Sequence, residues 1–163
     1  MRTRIAGILC AGVLLAGCGK KAEDALAEKV AEAATGVQVD IQHNGDDVTI
    51  KTAEGEYSSS TGESLKKPAD FPEDAYCCDG SIKTALKMPN GHQLSIESTA
   101  PAEKLVVDAR TFMTDKGWTE TIFLSQGGTT TLGFTKDEDA RTYMLNASAG
   151  EGKTAVTITV VKE

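Results

Sequence analysis

The stretch SIKTALKMPNGHQLSIEST, residues 81–99, carries the clearest structural signal in the chain. Apolar and polar side chains alternate along it, as in a strand with one face on a core and the other in water. Ile82, Leu86 and Met88 are its apolar members before Pro89-Asn90-Gly91, and Leu94 and Ile96 those after it. Asn-Gly favours a tight hairpin turn because it accepts positive φ at little cost. Ser81–Met88 and His92–Thr99 are therefore expected to pair as a hairpin.

Downstream the period changes from two to 3.6. Pro101 stands where a first helical residue would, and Leu105, Val106, Ala109, Phe112 and Met113 recur on one helical face. Phe112 and Met113 are both expected to pack on a sheet. Ala100 supplies no capping oxygen, and Gly117 provides the stop. After Trp118, four more strands are marked by Ile122/Leu124, Leu132/Phe134, Tyr143/Leu145 and Val156/Ile158/Val160. Turns at Gln126-Gly127-Gly128, Asp137-Glu138-Asp139 and Gly150-Glu151-Gly152 separate them. The order ββ-α-ββββ over 81–163 predicts an α+β domain, an antiparallel sheet with one helix packed on one face.

Upstream, residues 36–61 predict a small β-meander. Val37, Val39 and Ile41 alternate, Asn44-Gly45 turns the chain, Val48 and Ile50 return it, and Tyr57 to Thr61 follows a turn at Ala53–Glu56. Large apolar residues are few there, so the meander is expected to join the rest in one folded unit. Residues 62–80 hold Pro68 and Pro72 and predict a linker crossing the surface. Phe71-Pro72-Glu73-Asp74, Gly80-Ser81-Ile82 and Gly117-Trp118 resemble short motifs of small uncharacterised bacterial lipoproteins. Cys78-Asp79-Gly80 stands where those have a Tyr-Pro-Gly turn. The resemblance, over residues 70–120, implies a fold and brings no activity with it.

The N-terminus, MRTRIAGILCAGVLLAGC, places Arg2 and Arg4 before an apolar run too short to span a bilayer. Its end, Leu15-Ala16-Gly17-Cys18, resembles the lipobox of bacterial lipoproteins. That resemblance implies a signal peptide over 1–17, cleavage before Cys18, and acyl chains on Cys18 that anchor the chain to a membrane. The other reading is an ordinary secretory signal that contains a cysteine. Residues 18–35, rich in Ala, Glu and Lys, predict a partly helical tether ending at Gly36. Gly19 stands where lipoproteins held at the inner membrane of enteric bacteria carry aspartate. This favours the outer membrane, facing the periplasm, while Lys20 and Lys21 keep the inner membrane open.

The formal charge is −7, and loss of Arg2 and Arg4 makes the mature chain more acidic. Such a surface excludes nucleic acid as a partner and disfavours direct attachment to anionic lipid, while suiting a basic protein partner in the periplasm. Signal removal takes Cys10 and acylation takes Cys18, leaving Cys77 and Cys78 as thiols in an oxidising compartment. Neighbours across a trans peptide lie about 3.8 Å apart, whereas disulfide Cα atoms stand about 4.4–6.8 Å apart. Three states stay open: free thiols with one buried, a strained vicinal disulfide, and an intermolecular bond. A thiol-redox pair would want C-x-x-C spacing, which is missing.

Candidate catalytic and metal-binding residues are sparse. His43 and His92 each flank a turn and are expected in solvent, as are Glu73 and Asp74 in their loop. His43 to Asp47, HNGDD, lacks the ligand alternation of a calcium loop, and no Gly-x-Ser-x-Gly elbow or phosphate loop occurs. No catalytic, metal or cofactor residue is expected. The sequence therefore points to a lipid-anchored periplasmic binding or structural envelope protein without catalytic activity. Two alternatives remain: an immunity or inhibitor lipoprotein that neutralises a cell-wall hydrolase or toxin, and a thiol-redox protein using Cys77 and Cys78.

Overall fold

The computed structural model describes Lys29 and residues 40–44, 47–53 and 55–163. The signal peptide, Cys18, the tether and the Val37/Val39 start of the meander lie outside the described residues. The strands are β1 (Asp40–Asn44), β2 (Asp47–Thr52), β3 (Gly55–Leu65), β4 (Ser81–Met88) and β5 (Gly91–Ser98). Helix α1 (Ala102–Asp115) follows, then β6 (Thr119–Gln126), β7 (Thr129–Lys136), β8 (Arg141–Ala149) and β9 (Thr154–Lys162). They form one nine-stranded sheet in the order β1-β2-β3-β4-β5-β9-β8-β7-β6, antiparallel throughout, with α1 packed against β6, β7 and β8. The meander of β1 to β3 is thus continuous with the hairpin sheet, joined through the β3–β4 pairing.

The helix explains the strand order. From β5 to β6 is four strand spacings, about 19 Å. The 14 residues of α1 reach about 21 Å, enough to carry the chain to the far edge. From there β6, β7 and β8 fold back as a meander until β9 closes on β5. A Schellman motif ends the helix: Gly117 adopts φ 79°, its N–H donates to the Thr114 carbonyl, and the Trp118 N–H donates to the Met113 carbonyl. At the other end Pro101 is the N-cap, one position earlier than expected, and it has no capping side chain.

Side chains on the helix side of the sheet lie in cross-strand rows. Leu94, Ile158, Leu145 and Leu132 face one another in register, as do His92, Val160, Tyr143 and Phe134. Apart from His92, every residue of these rows is at most 2 % exposed. Leu105, Val106, Ala109 and Met113 cover them from α1. Phe112 departs from the expectation. It is half-buried and meets Tyr76 at a ring-centroid distance of 5.9 Å, with the Lys116 ammonium 5.7 Å over its ring. Phe112→Ala should therefore cost about 1–2 kcal/mol in urea unfolding, below the roughly 3–5 kcal/mol of a fully enclosed phenylalanine. A loss at the upper figure would place Phe112 inside the core.

Three other expectations are corrected. A bulge between Ile82 and Thr84 breaks the alternation of β4, so Ile82 and Ala85 face Ile96 and Leu94 while Leu86 turns to the other face beside Gln93. Ile122 and Leu124 remain exposed: past the bulge between Glu120 and Ile122 they pair with Gly133 and Thr131 and so point to the sheet face opposite α1. The 62–80 stretch is only partly a connection: Gly62–Leu65 lengthen β3, and residues 66–80 cross the helix side of the sheet and bury Phe71, Ala75 and Cys78 in the core. Their place follows from the reach of α1, which packs on β6 to β8 and leaves the β4–β5 half to be covered. Tight turns, Phe71 N–H to Pro68 and Ala75 N–H to Pro72, aim the apolar side chains inward. We call residues 66–80 the strap.

Candidate functional site

The strap brings together most of the chemistry-bearing residues. Asp74, expected in solvent, is instead partly enclosed and pinned from two strands. Arg141 of β8 donates from both terminal nitrogens to its two carboxylate oxygens at 2.7 and 2.6 Å, and Lys136 of β7 donates at 2.7 Å. Trp118, just after α1, donates its indole N–H to the Asp74 carbonyl at 2.7 Å. Both cations lie over the indole ring, Arg141 at 5.0 Å and Lys136 at 5.9 Å, and the Asp139 carboxylate forms an ion pair with Arg141, 2.6 Å from its Nε. The Arg141 bond, with help from Lys136 and against burial, holds the Asp74 carboxyl well below the usual carboxylate range. Partners 62 and 67 positions away leave no local trace in the sequence. Glu73 stays exposed as expected.

His92 is also relocated. The parity that turns Leu94 and Ile96 inward does the same for His92, which is buried against the Phe71 ring at 5.9 Å. Its Nε2 lies 3.8 Å from Asp70, whose carboxylate is held by Lys87 at 2.5 Å, and its Nδ1 has no hydrogen-bond partner. His43 belongs to β1, and its side chain is outside the described residues.

Cys77 and Cys78 are both free thiols, Cys78 buried and Cys77 half-buried. Burial pushes both up, Cys78 to about 12 with the neighbouring Cys77 adding to the effect. At neutral pH they are thiols, and a thiol is a poor nucleophile. The adjacent tyrosines act structurally. Tyr143 donates its hydroxyl to the Tyr76 carbonyl at 3.0 Å, and the Tyr76 N–H donates to the Met113 sulfur at 3.3 Å. Burial raises both phenols.

A cleft of about 460 Å³ opens where the strap meets the start of α1, lined in part by Tyr76, Asp79, Glu97, Lys104, Asp108 and Lys153. Four of these charges are already matched, Lys104 with Asp108 at 2.6 Å and Lys153 with Glu97 at 2.6 Å. Ser98 is committed as well, donating to the Asp79 carbonyl and accepting from the Ala100 N–H. Among the described residues no group of three or more His, Cys, Asp or Glu could hold a metal ion, and no helix is long and apolar enough to cross a membrane. The arrangement at the strap locks packing in place: the Asp70 and Asp74 carboxyls are held low by their cations, and both thiols are pushed up by burial.

Comparison of the chain with family models, with curated proteins and with solved structures found no match.

Proposed function

We propose that this chain is a lipid-anchored envelope protein, held at Cys18 on the outer membrane facing the periplasm, that works by binding a protein partner there and not by catalysis. The sheet face opposite α1 carries this reading. From β5 through β9, β8 and β7 that face presents Gln93, Ser95, Thr157, Thr159, Asn146 and Thr131, all half-buried, and no described element lies over it. Thr131 donates to Asn146 at 2.7 Å, and the face these six residues make is neutral and carried on paired strands, set before contact. A preordered neutral face lowers the ordering cost of association. Enclosure of both thiols, of His92 and of Asp74 in packing and ion pairs supports binding over thiol-redox chemistry.

Two measurements test the reading. A photo-crosslinking residue at Asn146 or Thr157, introduced in the producing cell, should capture one discrete protein, whereas one at Thr114 on the exposed side of α1 should not. Equal capture at all three positions, or none, would count against the sheet face as the binding surface. A captured cell-wall hydrolase would make the protein its inhibitor. Separately, Cys18→Ser should release the chain from the membrane fraction or block its processing. A variant processed and anchored as before would sink the lipid-anchor reading.

A further inference from the structure

The last strand of the sheet, β6, pairs only with β7; among the described residues nothing takes the hydrogen bonds of its outer edge. All eight of its residues are exposed, including Ile122 at 43 %, Phe123 at 53 % and Leu124 at 57 %. Val107, on the adjoining side of α1, is 60 % exposed. Sheet edges are ordinarily guarded by lysine, proline, shortness or a bulge. Thr119–Gln126 has no lysine or proline, and its bulge falls between Glu120 and Ile122, leaving 122–126 regular. The opposite edge, β1, is five residues long and starts with Asp40.

We infer that two copies of this chain pair through β6, edge to edge and antiparallel, about a two-fold axis at Phe123. Charge favours a second copy at this place. With a formal charge of −7, two copies repel over most of their surfaces. Along β6 the sole charged residue is Glu120, neutralised by two 2.8 Å bonds from Arg110, whose guanidinium lies 4.2 Å over the Phe123 ring. The strip is thus neutral and apolar on an acidic molecule.

The order of residues makes the strip complementary to itself, as an isologous interface requires. With Phe123 facing Phe123 of the second copy, Ile122 meets Leu124 in both directions, within the regular stretch past the bulge. Moving the axis to Ile122 leaves Phe123 and Leu124 facing the bulged stretch, and moving it to Leu124 sets Ile122 against Gln126 and Phe123 against Ser125. Only the Phe123-centred register pairs each large apolar residue with another. The edge carbonyls and N–H groups then find partners in an antiparallel ladder, and the two nine-stranded sheets become one.

The test is sedimentation velocity on the full-length protein as the cell delivers it, extracted in detergent if it fractionates with membranes. An eight-residue strand buries less than the roughly 800 Å² per partner of a standard interface, so a dimer dissociating at about 1–100 μM is expected. Leu124→Lys and Ile122→Glu alter exposed side chains, and unchanged near-ultraviolet circular dichroism would show that each still folds. Each should weaken the dimer at least about tenfold. An equimolar mixture of the two variants should dimerise again, because one register pair stays Ile–Leu while the introduced carboxylate at 122 faces the introduced ammonium at 124. A wild-type monomer up to about 200 μM, a dimer untouched by both substitutions, or a mixture that fails to re-pair would each overturn the inference.

Discussion

Asp74→Ala is expected to destabilise the protein by about 2–4 kcal/mol at neutral pH, measured as a lowered urea midpoint. The carboxylate is the common partner of Arg141 and Lys136, side chains only 15 % exposed. Its removal leaves two enclosed cations with Asp139, the Trp118 ring and, for Lys136, the Lys116 carbonyl as their remaining company. The loss comes mainly from the charges left behind, so Asp74→Asn, which keeps the shape and loses the charge, should recover little. The pH dependence has a definite sign. The carboxyl is held lower in the folded protein than in the unfolded chain, near 3.9. Its contribution is therefore complete above about pH 4 and is lost as pH falls through the folded value. Wild type should lose more stability than Asp74→Ala between about pH 4 and pH 2, and parallel curves would show that the ion pairs contribute little.

Much of the fold was legible because its signals are local. The alternations in β7, β8 and β9 survive as rows of inward side chains, with Leu132, Phe134, Tyr143, Leu145, Val156, Ile158 and Val160 in the core. Gly117 ends α1 for the reason expected, its positive φ. What failed to show depends on distant partners. Nothing near Asp74 announces Arg141 or Lys136, and Pro68 and Pro72 look the same in a surface linker as in a strap that plugs a core. Bulges were hidden too: one extra residue at Lys83 reverses the facing of Leu86 without altering the pattern of residue types. Ile122 and Leu124 alternate like the other strands, but the bulge before them turns both to the face opposite α1. The thiols illustrate the converse case, since geometry along the chain already argued against an easy disulfide, and burial of Cys78 follows from where the strap crosses.

Gly91→Ala is expected to cost about 3–5 kcal/mol, although the substitution adds a single methyl group. The sequence assigns Gly91 to the turn for the sake of positive φ, yet its φ is not positive; the residue opens β5 and pairs with Met88 and Val161. What it supplies is closeness. A Cβ there would lie 2.1 Å from the Val160 carbonyl oxygen and 2.8 Å from the Val161 Cα. Both are backbone atoms, so no rotamer change can make room, and β5 and β9 must separate. That pairing is the joint between the β1–β5 and β6–β9 parts of the sheet. Asn90 reinforces it, accepting the Lys162 N–H at 2.7 Å and donating its amide to the Lys162 carbonyl at 3.1 Å. Parting the strands there also disturbs the adjacent His92–Val160 pair, and with it the core row ending at Phe134. Gly127→Ala is the matched control. Its φ is 59° and nothing lies within 4 Å of the added methyl, so only backbone strain of about 1 kcal/mol is expected. Urea unfolding of both variants, with amide exchange followed at Val160 and Lys162, separates the two causes. Faster exchange at those amides should accompany the larger loss in Gly91→Ala alone; equal losses in the two variants would mean that the joint yields freely and that the close approach is not a constraint.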